Sequence, residues 1–304
     1  MGMLTKPVLS PVPIPLRIGL EALGLASFLS RVVSHRGLFA LAARLKLLGR
    51  ESDLVIQMHP AVKLHVAAAD AYWLCFTPKD REYEAEIEAL LERFADVAVR
   101  FVDAGANIGY WSIMASRRFG WPVIAIEAAH VTATKLRRNL ALNGCQTVTV
   151  CENAISNADG GFVEFHFDAL FHAGAHVVES TGTARDSVQR VPTLTIDKAL
   201  TGGPECFLTL IKLDVEGQER LALEGARETL AGNSIVVYEE HGSNPACEVT
   251  KLLLAQGFSI VYFDHRHFIP VKSGEEASSK LLQRSVGYNF VATRSDWALL
   301  RLLQ

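Results

Sequence analysis

The chain has 304 residues, 49% hydrophobic and 21% charged, which suits one large α/β domain with additions. A formal net charge of −3 and a pI near 6.4 exclude bulk electrostatic binding to nucleic acid, which needs a basic footprint. Five cysteines, Cys75, Cys145, Cys151, Cys206 and Cys247, include no C-x-x-C pair, so a reduced, cytoplasmic setting is expected, with the thiols acting as small hydrophobes.

Residues 1–15 are proline-rich and read as extended. Residues 16–50 are helical in pattern and carry Arg17, Arg31, Arg36, Arg44, Lys46 and Arg50 against Glu21 alone. That balance fits a helical cap with solvated basic residues, or a peripheral membrane or protein contact. The most apolar stretch contains Arg17 and Glu21 and lacks a basic leader, so neither a transmembrane span nor a signal peptide is expected. Residues 1–80 are read as a helical and β-hairpin extension, with "DLVIQMHP", "VKLHVA" and "YWLCFTP" alternating as strands do. Residues 81–304 are read as the main domain, which "DREYEAEIEALLERFA" opens with an amphipathic helix, acidic at its start.

From residue 99 strand and helix patterns alternate. "VRFVDAG" is followed by the helix "YWSIMASRRFG", "PVIAIEAA" by "ATKLRRNLALNG", and then comes a third strand, "QTVTVCENAIS". Two shorter strands, "GFVEFHF" and "VPTLTID", flank a polar loop, 167–190, with the length of a substrate lid. "LTLIKLDVEG" leads into one helix over "QERLALEGARETLAG", then the strand "SIVVYEEHG", the helix "VTKLLLAQG" and two final strands. This predicts an α/β sandwich around a mostly parallel sheet, Rossmann-like, with an antiparallel strand at its edge.

Ligands of open α/β sheets bind at the carboxyl ends of strands, near the switch in strand order. The residues at those ends are Asp103, Gly105, Ala106, Asn107 and Gly109; Glu127; Asn153 and Ala154; Asp214, Glu216 and Gly217; and Glu239, Glu240 and His241. A nicotinamide dinucleotide would set its pyrophosphate on the "GANIG" turn, where Asp103 would repel it, and the third glycine of G-x-G-x-x-G is missing. S-adenosylmethionine carries an ammonium and a sulfonium and no phosphate, which removes the conflict. Asp103 is then expected to accept from the ammonium, directly or through water. Glu127 would accept both ribose hydroxyls, and Asn153 would meet the adenine edge.

"FVDAGANIGYWS", "IEAA" with "LRRNLALNG", "ENAIS", "TLTID", "LIKLDVEGQERLALEGA" and "VVYEEH" together resemble the FkbM-type family of S-adenosylmethionine-dependent methyltransferases, over roughly residues 80–245. The resemblance implies the class I methyltransferase fold and O-methylation of hydroxyls on sugars and natural products. It implies cofactor contacts at Asp103, Gly105, Asn107, Gly109 and Glu127, and a functional site around Lys212, Asp214 and Glu216. The "EAA" of this chain stands where the family often has Glu-Pro.

Methyl transfer to a hydroxyl needs alignment and a proton acceptor. Asp214, Glu216, Glu239 and His241 are the candidates, with Lys212 either at the site or pairing with one of these acids. No metal is expected: the acids lack ligand spacing, and His166, His172 and His176 match no zinc pattern. The expected partner is a small-molecule or glycan hydroxyl acceptor, at a cytoplasmic or membrane-surface location. Two alternatives are an NAD-dependent oxidoreductase and a non-catalytic module binding a membrane or partner through residues 16–50.

Overall fold

The computed structural model describes residues 53–67, 70–74, 76, 83–167, 176–177, 187–240, 246–264, 267–282 and 289–304. The basic segment 16–50 lies outside these. Strands β1 (Asp53–His59) and β2 (Val62–Ala67) form an antiparallel hairpin, and alternation buries Leu54, Ile56, Leu64 and Val66. "YWL" does not extend as alternation suggested. Asp70 Oδ1 accepts from the Trp73 amide at 3.3 Å, and this local bond winds Ala71–Leu74 into a short helix, α1. Helix α2 (Ala85–Arg93) buries Ile87, Leu90 and Leu91, with Glu86 and Glu88 in its first turn and Arg93 in its last.

The central unit follows as β3 (Val99–Ala104), α3 (Tyr110–Phe119), β4 (Val123–Ile126), α4 (His130–Leu142) and β5 (Val148–Cys151). The expected third strand breaks at Glu152–Asn153. Its second half, β6 (Ala154–Ile155), leaves the main sheet and pairs with β9 (Ser187–Leu194). Between them lie β7 (Phe162–Phe167) and β8 (His176–Val177). β7 and β9 pair antiparallel as far as Phe167 and Ser187, so a small four-stranded sheet occupies part of what reads as a loop. His166 and His176 lie opposite each other in that sheet, and His172 lies outside the described residues.

Helix α5 (Ile196–Ala199), β10 (Leu208–Leu213), α6 (Glu219–Glu224), α7 (Arg227–Ala231), β11 (Ser234–Glu239) and α8 (Glu248–Ala255) continue the chain. The single helix expected over 218–232 is two, because a Cβ on Gly225 would sit 2.3 Å from the Ser156 carbonyl oxygen. Asp197 then starts α7 afresh, its carboxylate accepting from the Glu228 and Thr229 amides at 2.9 Å. The C-terminal region is β12 (Ser259–Asp264), β13 (His267–Val271), α9 (Gly274–Leu282), β14 (Asn289–Thr293) and α10 (Asp296–Leu303). α9 separates strands that were expected to follow one another directly, and α10, capped by Ser295, was not anticipated.

The main sheet runs β13-β12-β14-β11-β10-β3-β4-β5. Strands β5, β4, β3, β10 and β11 are mutually parallel. β13 is an antiparallel edge strand, as expected, and β14 adds a second antiparallel strand inside the sheet, between β11 and β12. Alternation sorts side chains between two cores. Phe101, Leu210 and Val237 face the hairpin, α2 and α3, whereas Val102, Ile211 and Val236 face α6 and α8. The chain enters the sheet at β3, winds outward to β5, and returns beside β3 as β10. The switch in strand order, and the crevice it opens, therefore lies between the ends of β3 and β10. Replacing Gly225 with Ala should lower unfolding free energy by about 1–3 kcal/mol, the usual effect of forcing an atom into a packed contact, as read by urea denaturation.

Candidate active site

β3 and β10 are in register, with Lys212 beside Asp103 and Leu213 beside Ala104, and the Asp214 amide donates to the Ala104 carbonyl at 3.0 Å. The two strand ends stay in contact beyond the ladder. Gly105 has φ +80°, and a Cβ there would fall 1.8 Å from the Asp214 carbonyl oxygen, so glycine alone fits on both counts. The Gly105 and Ala106 amides both donate to the Ile126 carbonyl, at 2.9 and 3.0 Å, which folds the turn toward β4. Gly109 caps α3.

The turn presents Glu127. Asn107, at φ +50°, donates its amide to Glu127 Oε2 at 2.9 Å, and the Ala129 amide donates to Oε1 at 2.9 Å. Each oxygen keeps acceptor capacity. Glu127 is 8% exposed, and burial pushes its carboxyl up to about 7 despite those two amides, with Asp214 and Asp103 adding to the rise. Asp103 lies deeper, 1% exposed, and accepts from Ser112 Oγ at 2.6 Å. Burial raises its pKa too, against the pull of Lys212.

Lys212 reaches the same edge from inside the sheet. Its ammonium donates to Asp214 Oδ2 at 3.0 Å, the pairing that its place in the strand allowed. Burial alone would push the lysine down. The carboxylates of Asp214, Glu84 and Asp103 outweigh it and hold the ammonium well above the ordinary lysine range. Glu84 was not singled out in the sequence. It precedes α2 at φ +46°, accepts from Trp111 Nε1 at 2.5 Å, and burial raises its pKa. Tyr83 beside it packs on Tyr110 and Trp111.

Asp214 is half-buried, and Glu216, at φ +51°, is exposed. Glu219, also not anticipated, is 3% exposed and shapes the turn, its Oε1 accepting from the Val215 and Gly217 amides at 3.4 and 3.2 Å. Glu240 accepts from the Thr250 amide at 2.7 Å and so anchors α8; Glu239 is half-buried. His241 lies outside the described residues. Asn153 donates to the Pro192 carbonyl at 3.2 Å, and Ala154 is buried beside Ala129 and Val191. Among the described residues, no group of three or more His, Cys, Asp or Glu side chains is placed to hold a metal, and no helix is long and apolar enough to cross a membrane.

Residues 103–260, just over half of the chain, match the family described as the methyltransferase FkbM domain. The chain belongs to this family. An FkbM methyltransferase takes its methyl group from S-adenosylmethionine, and this one has the class I methyltransferase fold, a mostly parallel sheet with an antiparallel edge strand. Membership decides for methyl transfer over hydride transfer. Over 193 residues this FkbM methyltransferase is 25% identical to the hexuronic acid methyltransferase AglP of Haloferax volcanii, a span of 64% of this chain and 76% of that one. Among solved structures it is similar to a precorrin-6y C5,15-methyltransferase from Geobacter metallireducens (14% identity, TM-score 0.42, covering 70% of this chain and 89% of that chain). It is also similar to the N-terminal domain of human METTL16 in complex with SAH (11% identity, TM-score 0.40, covering 72% and 75%).

The donor set at the crevice fits such a cofactor. Three carboxylates, Asp214, Glu84 and Asp103, act on the single Lys212 ammonium, and Glu127 lies within electrostatic reach of Asp214 and Asp103. That excess of negative charge suits a cationic ligand and opposes a diphosphate. Removing the ammonium should be severe. Lys212→Met is expected to cost about 3–5 kcal/mol, the usual result of leaving buried charge unpaired. The loss should be greater at the higher pH and shrink in acid, because burial raises the Asp103 and Glu84 carboxyls and protonating them removes the unpaired charge. Urea denaturation at pH 5 and pH 8 checks both the size and the sign.

Proposed function

We propose that this chain transfers the methyl group of S-adenosylmethionine to a hydroxyl of a sugar or a small natural product. The observation that carries the reading is the half-buried carboxylate of Asp214, ion-paired on one oxygen with Lys212 and set against the glycine turn through Gly105. An acceptor hydroxyl loses its proton as its oxygen bonds to carbon, and a carboxylate within reach can receive that proton. Asp214 fills this role, with Glu216 two residues on and His241 as the alternative base. The similarity to a hexuronic acid methyltransferase supports a sugar acceptor.

S-adenosylmethionine supplies a methyl group on a cationic sulfur. The chain's residues hold and orient it. Gly105, Ala106, Asn107 and Gly109 let the backbone close on the amino-acid end. Asp103 contributes negative charge beneath that turn, Glu127 accepts from the ribose hydroxyls, and Asn153 and Ala154 border the adenine.

Asp103→Ala and Glu127→Ala should each weaken S-adenosylhomocysteine binding about ten-fold or more, because hydrogen bonds to charged groups contribute roughly 1.5–3 kcal/mol. Unchanged calorimetric affinity in both folded variants would remove the assignment. Glu127 also predicts a pH dependence. Its folded pKa of about 7 lies above the ordinary 4.5, so ionising it disfavours the ligand-free fold increasingly between those values, by roughly 3 kcal/mol at most. Ribose hydroxyls donating to the ionised carboxylate pull that pKa back down. Binding should therefore release a proton below pH 7 and weaken as pH falls, read by calorimetry in buffers of different ionisation enthalpy.

Radiolabelled S-adenosylmethionine with a panel of uronic acid and neutral sugar glycosides tests the reaction itself. An alkali-stable labelled ether supports hydroxyl methylation, and its yield should drop about 10²-fold or more in Asp214→Asn with cofactor affinity kept, as expected on losing a general base. An alkali-labile product would mark a carboxyl acceptor and overturn the hydroxyl reading.

A further inference from the structure

Asn139 sits in the last turn of α4, 0% exposed, where a polar side chain needs partners. It has them on both sides. Its Oδ1 accepts from the His65 amide of β2 at 2.7 Å, and its Nδ2 donates to the Ile108 carbonyl at 2.9 Å. Ile108 lies inside the glycine turn, between Asn107, which donates to Glu127, and Gly109, which caps α3. One turn along α4, Asn143 repeats the docking. Its Oδ1 accepts from the Lys63 amide at 2.9 Å, and its Nδ2 donates to the Lys63 carbonyl at 2.7 Å.

The spacing explains the match. Two residues of strand advance about 6.6 Å and four residues of helix about 6 Å, so asparagines at i and i+4 meet alternate residues of β2. They act as a surrogate neighbouring strand for an otherwise open hairpin edge. At Asn139 the pairing also settles which way the amide points. The His65 amide can only donate, so it takes the oxygen, and the nitrogen is left to face Ile108. One turn before Asn139, Leu136 of α4 fills the space that a Cβ on Gly109 would need, with its Cδ1 2.5 Å from that position.

We infer that Asn139 is a positioning residue for the cofactor: oriented by the N-terminal hairpin, it holds the Ile108 carbonyl so that the Asn107–Gly109 turn keeps the shape that receives the amino-acid end of S-adenosylmethionine. The inference rests on the reading of the glycine turn given above. It makes β2, which lies before the family's matched span, part of the binding machinery.

Two ligands separate positioning from plain stability. S-adenosylhomocysteine carries the amino-acid end, and 5′-methylthioadenosine lacks it. Asn139→Ala and the near-isosteric Asn139→Asp, which sets an oxygen against the Ile108 carbonyl, are compared with Asn143→Ala, which cuts the hairpin docking without touching the turn. Calorimetry gives both affinities for each protein. The ratio between the two ligands should fall about ten-fold in the Asn139 variants, as for one misplaced hydrogen bond to a charged group, and stay within about two-fold in Asn143→Ala. The aspartate variant keeps the test open if the alanine variant does not fold. A ratio unchanged in the Asn139 variants but lowered in Asp103→Ala overturns this inference alone. A ratio unchanged in all of them overturns the reading of the turn and this inference with it. An equal fall in Asn143→Ala assigns the effect to hairpin docking as a whole and overturns the role of Asn139.

Discussion

A single buried ammonium makes the acid-rich edge of this sheet possible. Lys212 emerges from the buried carboxyl end of β10, where a charged side chain is expensive, and it is tolerable there only because Asp214, Glu84 and Asp103 surround it. The dependence runs both ways. Three carboxylates collected at one crevice without a cation would repel one another and shed their charge by taking up protons. Lys212 pulls against that tendency at Asp103 and Glu84, where burial still raises the carboxyl pKa. The parallel register of β3 and β10 sets Lys212 beside Asp103, so the arrangement depends on the strand order before it depends on any loop.

Backbone contacts complete what the charges begin. Gly105 lets two strand ends touch where any side chain would push them apart, and the Asp214 carbonyl occupies the room that is freed. Glu219 then ties the opposite turn from below through two amides. The result is a crevice in which the glycine turn and the Asp214 strand end share one wall. A change at the glycine turn is therefore transmitted to Asp214 without passing through flexible chain.

Much of this was legible in the sequence, because it depends on short-range pattern. Apolar runs ending in acids, alternating with helical patterns, marked the strands and their carboxyl ends, and so picked out Asp103, Glu127, Asp214 and Glu216. Lys212, an isolated cation inside an apolar strand, signalled its own pairing. What could not be read depends on partners distant in the chain. Glu84 looks like one more acid at the start of an amphipathic helix until Trp111 and Lys212 are placed beside it. Asn139 reads as an ordinary helical polar residue, and its burial follows only from the hairpin docking on α4. The break at Gly225 comes from a carbonyl of Ser156, some seventy residues earlier, which no local propensity encodes. Helix α9 was missed for a different reason: its acidic, serine-rich first turns carry too few apolar residues to stand out between two strands.

The non-glycine residues held at positive φ among the described residues are Glu84, Asn107, Glu216 and Cys247, and by topology all four lie at the carboxyl edge of the sheet. A left-handed conformation costs such residues roughly 1–2 kcal/mol each. Among the described residues, conformational strain outside glycine is thus collected at the carboxyl edge. The two edges differ in mutational tolerance for that reason. Changes at the amino edge leave these strand ends alone, whereas glycine in place of Glu84, Asn107 or Glu216 would relieve strain in the fold and loosen the crevice at the same time. The strand ends are thus where backbone strain and the shape of the crevice are tied together.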